Sequence, residues 1–504
     1  MTRTLLLAAT LAALAALGGC ARDITCPVGE AICGGACVDV ASDGANCGGC
    51  GHACQGGTRC KAGACGCPTG QTLCGATCVQ LTTDAANCGA CGHACNSGYA
   101  CGTSGGIPAC VLDCQPGTTA CGSSCATLTS DRLNCGACGK ACVTGESCLA
   151  GACTSLQVAC FSVDEVRAVE PLEPATGAAP RAAGVGPIAL TSLGTDVWAA
   201  ASISGSLVRL PADLAAAPTE YLLHGSDFEY VTAHAGRVLL ASAGAGTVVV
   251  VDPSTGAVAD EIPVGASAAE NIRGIAFATG PSGDKAYVSL YGDAVSGDPS
   301  LGQKVAVLSA TGLAGCGVTA QPGHCLTPVA TVDVSGGADA PGLAFPGRSA
   351  TLGGKVYVVL ANLKKGSFGY FTDAAGPGKL AVIDPATDAV SFLSLGSGCG
   401  NPGGLAIHGQ SLWVACASGG LVEVDLSGAA PTVGAVHAVP VLSPGNVAFC
   451  GDHGFVSDQY SGDVYPFDPV NPSAWPAAAT TVCPVSAGPG GYAWASDVAC
   501  SSRP

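Results

Sequence analysis

Three stretches carry the densest reactive chemistry in the chain: Cys47 to Cys54 (CGGCGHAC), Cys88 to Cys95 (CGACGHAC) and Cys135 to Cys142 (CGACGKAC). Cysteines two and three residues apart beside a histidine offer donors of the kind a tetrahedral zinc prefers. A C-x-x-C pair can also cycle between dithiol and disulfide. The three stretches act as controls on one another. His52 and His93 stand before the Ala-Cys pair in the first two, whereas Lys140 stands there in the third. A charged ammonium cannot ligate zinc, yet the cysteine frame around it is unchanged, so the frame does not need the histidine. No βαβ pattern surrounds the C-x-x-C pairs, as a thioredoxin-like site requires. A structural disulfide framework is therefore preferred over a metal or redox site.

The cysteine count supports this. Of 33 cysteines, Cys20 stands apart near the N-terminus, and the other 32 divide evenly. Eight lie in the second part of the chain: Cys160, Cys316, Cys325, Cys399, Cys416, Cys450, Cys483 and Cys500. The remaining 24 form three copies of one eight-cysteine module. Copy one (26–66) uses Cys26, Cys33, Cys37, Cys47, Cys50, Cys54, Cys60 and Cys65. Copy two (67–113) uses Cys67, Cys74, Cys78, Cys88, Cys91, Cys95, Cys101 and Cys110. Copy three (114–153) uses Cys114, Cys121, Cys125, Cys135, Cys138, Cys142, Cys148 and Cys153. Only the last step varies, where the second copy inserts GTSGGIPA before Cys110. Each copy has little apolar material, so burial alone cannot offset its chain entropy. Four bridges per copy, each contributing about 2–4 kcal/mol, can. Eight cysteines leave the pairing open, with bridges inside each copy expected.

The spacing, as in Cys33-Gly34-Gly35-Ala36-Cys37-Val38-Asp39 and Asn46-Cys47-Gly48-Gly49-Cys50-Gly51, resembles the plant stigma-specific protein family. It is also similar to cysteine-rich modules of myxobacterial surface lipoproteins. The resemblance implies secreted modules and supplies no catalytic residue. Asp43, Asp84 and Asp131 each precede an asparagine (Asn46, Asn87, Asn134) by three positions. A weak calcium site is the alternative to local capping, but calcium wants six or more oxygens and few are at hand.

The N-terminus bears on compartment. Thr2-Arg3-Thr4 leads into an apolar run from Leu5 to Leu17 that suits a signal peptide but is too short to span a bilayer. It ends in Leu17-Gly18-Gly19-Cys20, which resembles the bacterial lipobox. That resemblance implies a signal peptide over 1–19, a palmitate-type lipid on Cys20, a short tether over 20–25 and an exported protein anchored in the cell envelope, with the outer membrane as the expected location. Oxidising export agrees with the even cysteine count. The net charge of −17 arises mainly beyond Cys153, with 28 acidic against 13 basic residues, so nucleic acid is not an expected partner.

From residue 154 to 504 the composition turns to short alternating strands. A recurring phrase joins a small-apolar strand, a Val/Tyr/Trp-rich strand and a third strand that ends at Asp-Pro. First strands are read at Gly186 to Leu190, Glu229 to Ala233, Gly274 to Phe277, Gly342 to Phe345, Gly404 to Ile407, Gly445 to Phe449 and Ala495 to Cys500. Repetition of this kind reads as a β-propeller. Val382-Ile383-Asp384-Pro385-Ala386-Thr387 resembles the signature of the bacterial YVTN family. The fold class expected is mainly β: small disulfide-rich repeats, then a propeller. Seven blades are expected, the seventh built from residues 156–172 and the C-terminus with Cys160 and Cys500 close together. Six blades with an unpaired tail are the alternative. Cys316 and Cys325 bracket a loop and are expected to pair.

Propellers carry function at the channel mouth. Candidate binding residues there are Asn271, Asn401 and Asn446, with Glu229 and Asp497 as further candidates; the alternative is that these asparagines satisfy turn backbone. No nucleophile elbow, H-E-x-x-H or phosphate loop is present. Two functions stand. One is a non-catalytic surface protein whose stapled stalk presents the propeller to a protein or glycan, without a cofactor. The other is a propeller lactonase or hydrolase with a metal such as calcium in the channel.

Overall fold

The computed structural model describes residues 24–172, 180–223, 227–265, 270–292, 298, 300–317, 323–418, 420–440, 443–471, 480–486 and 492–503. The expected signal peptide and Cys20 lie outside them. The chain forms two compact units, Met1–Cys125 and Ala126–Pro504. No helix among the described residues is long and apolar enough to cross a membrane.

The first unit consists of small hairpins tied by disulfides. In copy one, Glu30–Cys33 pairs with Ala36–Asp39 and Arg59–Lys61 with Ala64–Gly66. Copy two repeats this with Thr72–Cys74 against Thr77–Val79 and Tyr99–Ser104 against Ile107–Leu112. The GTSGGIPA insertion lengthens that last hairpin, with Gly105 and Gly106 at positive φ in its turn. Within copies one and two the first cysteine bonds the third, the second the fifth, the fourth the seventh and the sixth the eighth. Copy one thus holds Cys26–Cys37, Cys33–Cys50, Cys47–Cys60 and Cys54–Cys65. Copy two holds Cys67–Cys78, Cys74–Cys91, Cys88–Cys101 and Cys95–Cys110. Among the described residues of this unit, Cys47 and Cys88 are the buried apolar side chains. The glycine after Cys47 is required by close approach: Gly48 has φ +74°, and a Cβ there would meet the Gly63 carbonyl oxygen at 2.5 Å.

The second unit is a seven-bladed propeller. Six blades are consecutive four-stranded antiparallel sheets whose innermost strands are Pro187–Leu193, Phe228–His234, Ile272–Gly280, Pro346–Leu352, Pro402–His408 and Pro444–Cys450. The seventh takes its innermost strand, Ala495–Arg503, from the C-terminus and pairs it with Ala152–Cys160 from the start of the unit. Glu165–Val169 and Arg181–Ala182 complete this blade. The seven innermost strands contact one another in sequence, and the last meets the first, closing a ring. Each blade–blade seam buries one hydrophobic cluster, and seven such clusters make up the core. A flat face of β-branched and aromatic side chains on each blade, covered by the next blade, explains why valine dominates these strands.

Three details differ from the sequence reading. Cys160 is bonded to Cys483, and Cys500 to Cys450, instead of Cys160 to Cys500. In the seventh blade Cys160 lies opposite Ala495 while Cys500 lies opposite Leu156, about 13 Å along the ladder. The innermost strand of blade four is Pro346–Leu352, not Gly342 to Phe345. Leu343 and Phe345 instead pack with Ala361, Leu363 and Phe371 in a side cluster, and Phe345 adopts φ +49°. The propeller's compact unit also begins at Ala126, upstream of the change in cysteine density at 153. The end of copy three is the reason: Ser147–Leu149 pairs with the same strand, Ala152–Cys160, that builds blade seven. Cys316 and Cys325 are bonded locally.

Candidate binding site at the mouth of the propeller channel

The site is generated by one irregularity repeated round the ring. The register of every innermost strand shifts near its first residue, so one or two residues escape the ladder. A bulge of this kind redirects the released side chain. The released residues are Ile188, Glu229, Arg273, Gly347 with Arg348, Gly403, Gly445 with Asn446, and Ser496. All of them line one cavity of about 310 Å³, together with Tyr291, Asn401, Gln459 and Trp494.

Arg348 and Asp497 form its anchor. Arg348 belongs to blade four and Asp497 to blade seven, so their 3.1 Å contact reaches across the channel. Asp497 is fully buried, and its carboxylate accepts from the Leu190 amide (2.8 Å), its neighbour Val498 (2.8 Å), Arg348 and the Asn446 side-chain amide. One carboxylate thus gathers groups from blades one, four and six. Burial works against the Arg348 charge, but Asp497, Tyr230 and Glu229 outweigh it and hold its pKa above the ordinary value. The Arg348 guanidinium stands 5.4 Å from the Tyr230 ring centroid, a cation–π distance. Burial pushes the Tyr230 hydroxyl pKa up, with Arg348 opposing.

Arg273 is held less firmly. Its nearest carboxylate oxygen, on Glu229, is 3.9 Å away, and its guanidinium lies 4.4 Å from the Tyr291 ring centroid. Burial raises the Tyr291 pKa, with Arg273 again opposing. Three polar atoms of the cavity's residues are buried without a hydrogen-bond partner among the described residues: Arg273 Nε, Asn446 Oδ1 and Trp494 Nε1. Buried orphan groups carry a desolvation cost, which is why native proteins leave few of them.

Of the asparagines singled out from sequence, Asn401 and Asn446 line the cavity and Asn271 does not. Asn271 precedes the innermost strand of blade three at φ +23°, its Oδ1 buried and without a partner among the described residues. Asn446 uses its amide on Asp497, not on turn backbone. Sequence reasoning missed Arg273 and Arg348. Arg273 was findable, because it stands one residue before Gly274-Ile275-Ala276, the same offset as Gly403 before Gly404-Leu405-Ala406. Arg348 was hidden by the wrong strand assignment in blade four. With two guanidinium groups in its wall, the mouth is a poor place for a divalent cation.

The cysteine frames are equally clear about metal. Each cluster of cysteines close enough to share an ion consists of sulfurs already in disulfides. The backbone shows what the variable His/Lys position contributes. The carbonyls of His52, His93 and Lys140 each accept from the amide of the fourth cysteine at 2.8 Å, a bond the backbone makes whatever the side chain. The rings of His52 and His93 add a second bond, Nδ1 donating to the Cys47 and Cys88 carbonyls at 2.9 and 2.6 Å. Asp43, Asp84 and Asp131 accept the backbone amide two residues on at 2.8–2.9 Å, and Asn46, Asn87 and Asn134 accept from Gly51, Gly92 and Gly139 at 2.8 Å. These are Asx-type turns that organise the loop.

The frames match the stigma-specific STIG1-like protein family over residues 14–67 and 103–156. Copies one and three fall in the matched STIG1-like segments, which together span well under half of the chain. No curated protein matches the sequence. Among solved structures, similar folds include a protein from Lactobacillus plantarum (12% identity, 69% of this chain and 99% of that one, TM-score 0.48). AztD from Citrobacter koseri is similar at 11% identity, over 70% of this chain and 98% of its own (TM-score 0.45). A virginiamycin B lyase from Staphylococcus aureus is similar at 12%, over 63% and 86% (TM-score 0.42). The chain is thus a β-propeller with STIG1-like cysteine-rich repeats at its N-terminal end.

Proposed function

We propose that this protein is exported, anchored through lipid on Cys20, and uses the stapled repeats as a stalk for a propeller that binds a ligand at the cell surface without catalysing its conversion. The observation that carries the binding role is the channel-mouth cavity, where bulges on all seven blades deliver residues to one wall that retains polar atoms unpartnered among the described residues. Anchoring rests on Leu17-Gly18-Gly19-Cys20 and on the even cysteine count that remains after Cys20. Several acyl chains give stable attachment where one is marginal.

The test labels cells expressing the full chain with tritiated palmitate. Label should travel with the protein, and Cys20→Ser should lose both label and membrane association. Proximity labelling from the propeller should then return a reproducible set of surface neighbours. Purified protein that carries about one calcium or zinc per chain and hydrolyses lactones is the result that replaces binding with catalysis.

A further inference from the structure

Resting on the binding role, we propose that the channel mouth takes a small organic monocarboxylate that also carries a hydrogen-bond donor, a hydroxy acid in kind. The charge comes from the inventory of free valences. Asp497 is saturated by four donors and has little left for a cation. Glu229 is the carboxylate on the wall itself, held loosely 3.9 Å from Arg273. Against these stand two guanidinium groups, one of which keeps its Nε unpartnered, and the unpartnered indole N–H of Trp494. Free donors therefore outnumber free acceptors, and a carboxylate is the group that meets a guanidinium edge with paired hydrogen bonds.

The remaining orphan sets the second requirement. Asn446 is 5% exposed and its Oδ1 has no partner among the described residues, so it calls for a donor, such as a hydroxyl, on the ligand. Size follows from the cavity, whose 310 Å³ is at the low end for ligand pockets. The two arginines of the wall are offset by Glu229 beside them and by the buried Asp497 bonded to Arg348, which favours a monoanion over a phosphate-like dianion. Tyr291, which lines the cavity beneath Arg273 and packs on Phe345, holds the guanidinium in place at the wall.

Isothermal titration calorimetry of the full chain tests this with glycerate and glucuronate, against glycerol and glucose as uncharged counterparts and ethanolamine as a cation. Binding of one or both carboxylates, with the counterparts at least tenfold weaker, is expected. Arg273→Gln should weaken carboxylate binding by about tenfold while the melting temperature holds, since this arginine is loosely paired. Glu229→Gln should tighten it by a few fold, because Arg273 loses its competitor. Equal affinity for glucose and glucuronate, or tightening of ethanolamine instead, overturns the carboxylate assignment while leaving a binding propeller in place. Silence from every probe with a folded protein also overturns it.

Discussion

The two stapled copies of the first unit and the propeller solve the same problem with opposite means. In the first unit the described residues bury two apolar side chains, Cys47 and Cys88, and the chain is held by bonds. In the propeller every seam between blades is filled by a cluster of Val, Leu, Ile and aromatic side chains, and disulfides are additions to a core that exists without them. Copy three separates the two strategies. Cys54, Cys60 and Cys65 of copy one stay partly or fully exposed, while their counterparts Cys142, Cys148 and Cys153 are 7%, 3% and 1% exposed. The frame is the same; the difference is that copy three ends in the strand of blade seven. Its Glu146, buried, makes a two-pronged contact with Arg503 at 2.7 and 3.3 Å, and Glu170 receives Arg132 at 2.9 Å. A cysteine module gains a hydrophobic surrounding only where a larger fold lends one.

The comparison breaks first under reduction. Dithiothreitol should unfold copies one and two completely, seen as loss of amide-exchange protection and rapid proteolysis, while the propeller's β-sheet circular dichroism persists. Collapse of the propeller at the same reductant concentration would mean its seams do not hold alone. Next, removing the ring closure with Cys160→Ala and Cys483→Ala together should destabilise the propeller by up to ~5 kcal/mol, the upper range for a bridge closing a long loop. Denaturant melts of the second transition measure this. Arg503→Gln should follow at about 3 kcal/mol, because it leaves the buried Glu146 carboxylate without its cation. His52→Lys in copy one should cost about 1 kcal/mol or less, the worth of the ring Nδ1 bond to the Cys47 carbonyl, and leave all four bridges intact by mass mapping, since the backbone bond at that position is kept.

The finest distinction is a pH effect confined to the propeller. His234 is stacked on Phe277 with ring centroids 4.0 Å apart, and burial pushes its pKa below the ordinary 6.5, outweighing the pull of Asp284. The folded state refuses a proton that the unfolded chain accepts. Stability linked to this side chain is therefore whole above about pH 6.5 and declines as the pH falls below it. His234→Gln should flatten the slope of propeller stability in that window, and leave the first unit's behaviour unchanged.

Much of this architecture was readable from residue order. The repeat gave the cysteine frame because its spacing is rigid, and Lys140 together with the even cysteine count argued for a disulfide framework over a metal site. The missing strands of the last blade pointed to closure from both ends, since six outer sets served seven inner phrases. Pairing was a different matter: Cys160 and Cys483 are 323 residues apart, and only the register of blade seven decides which cysteines meet. The site was half legible. Asn401 and Asn446 stood out as polar residues among apolar phrases, but Arg348 came to the mouth through a strand, PGRSATL, that the first-strand phrases did not include. Apolar Gly342 to Phe345 attracted the strand assignment because burial in a side cluster leaves the same signature as burial in a blade.

The bond between Cys160 and Cys483 has one more consequence. It joins the opening strand of the propeller to the segment after its sixth blade, so nearly the whole ring lies within a covalent loop. A protease that cuts once anywhere in that loop produces no free piece. The nicked chain keeps its mass on a non-reducing gel and separates into fragments only with thiol present. Topology then delays damage from becoming loss.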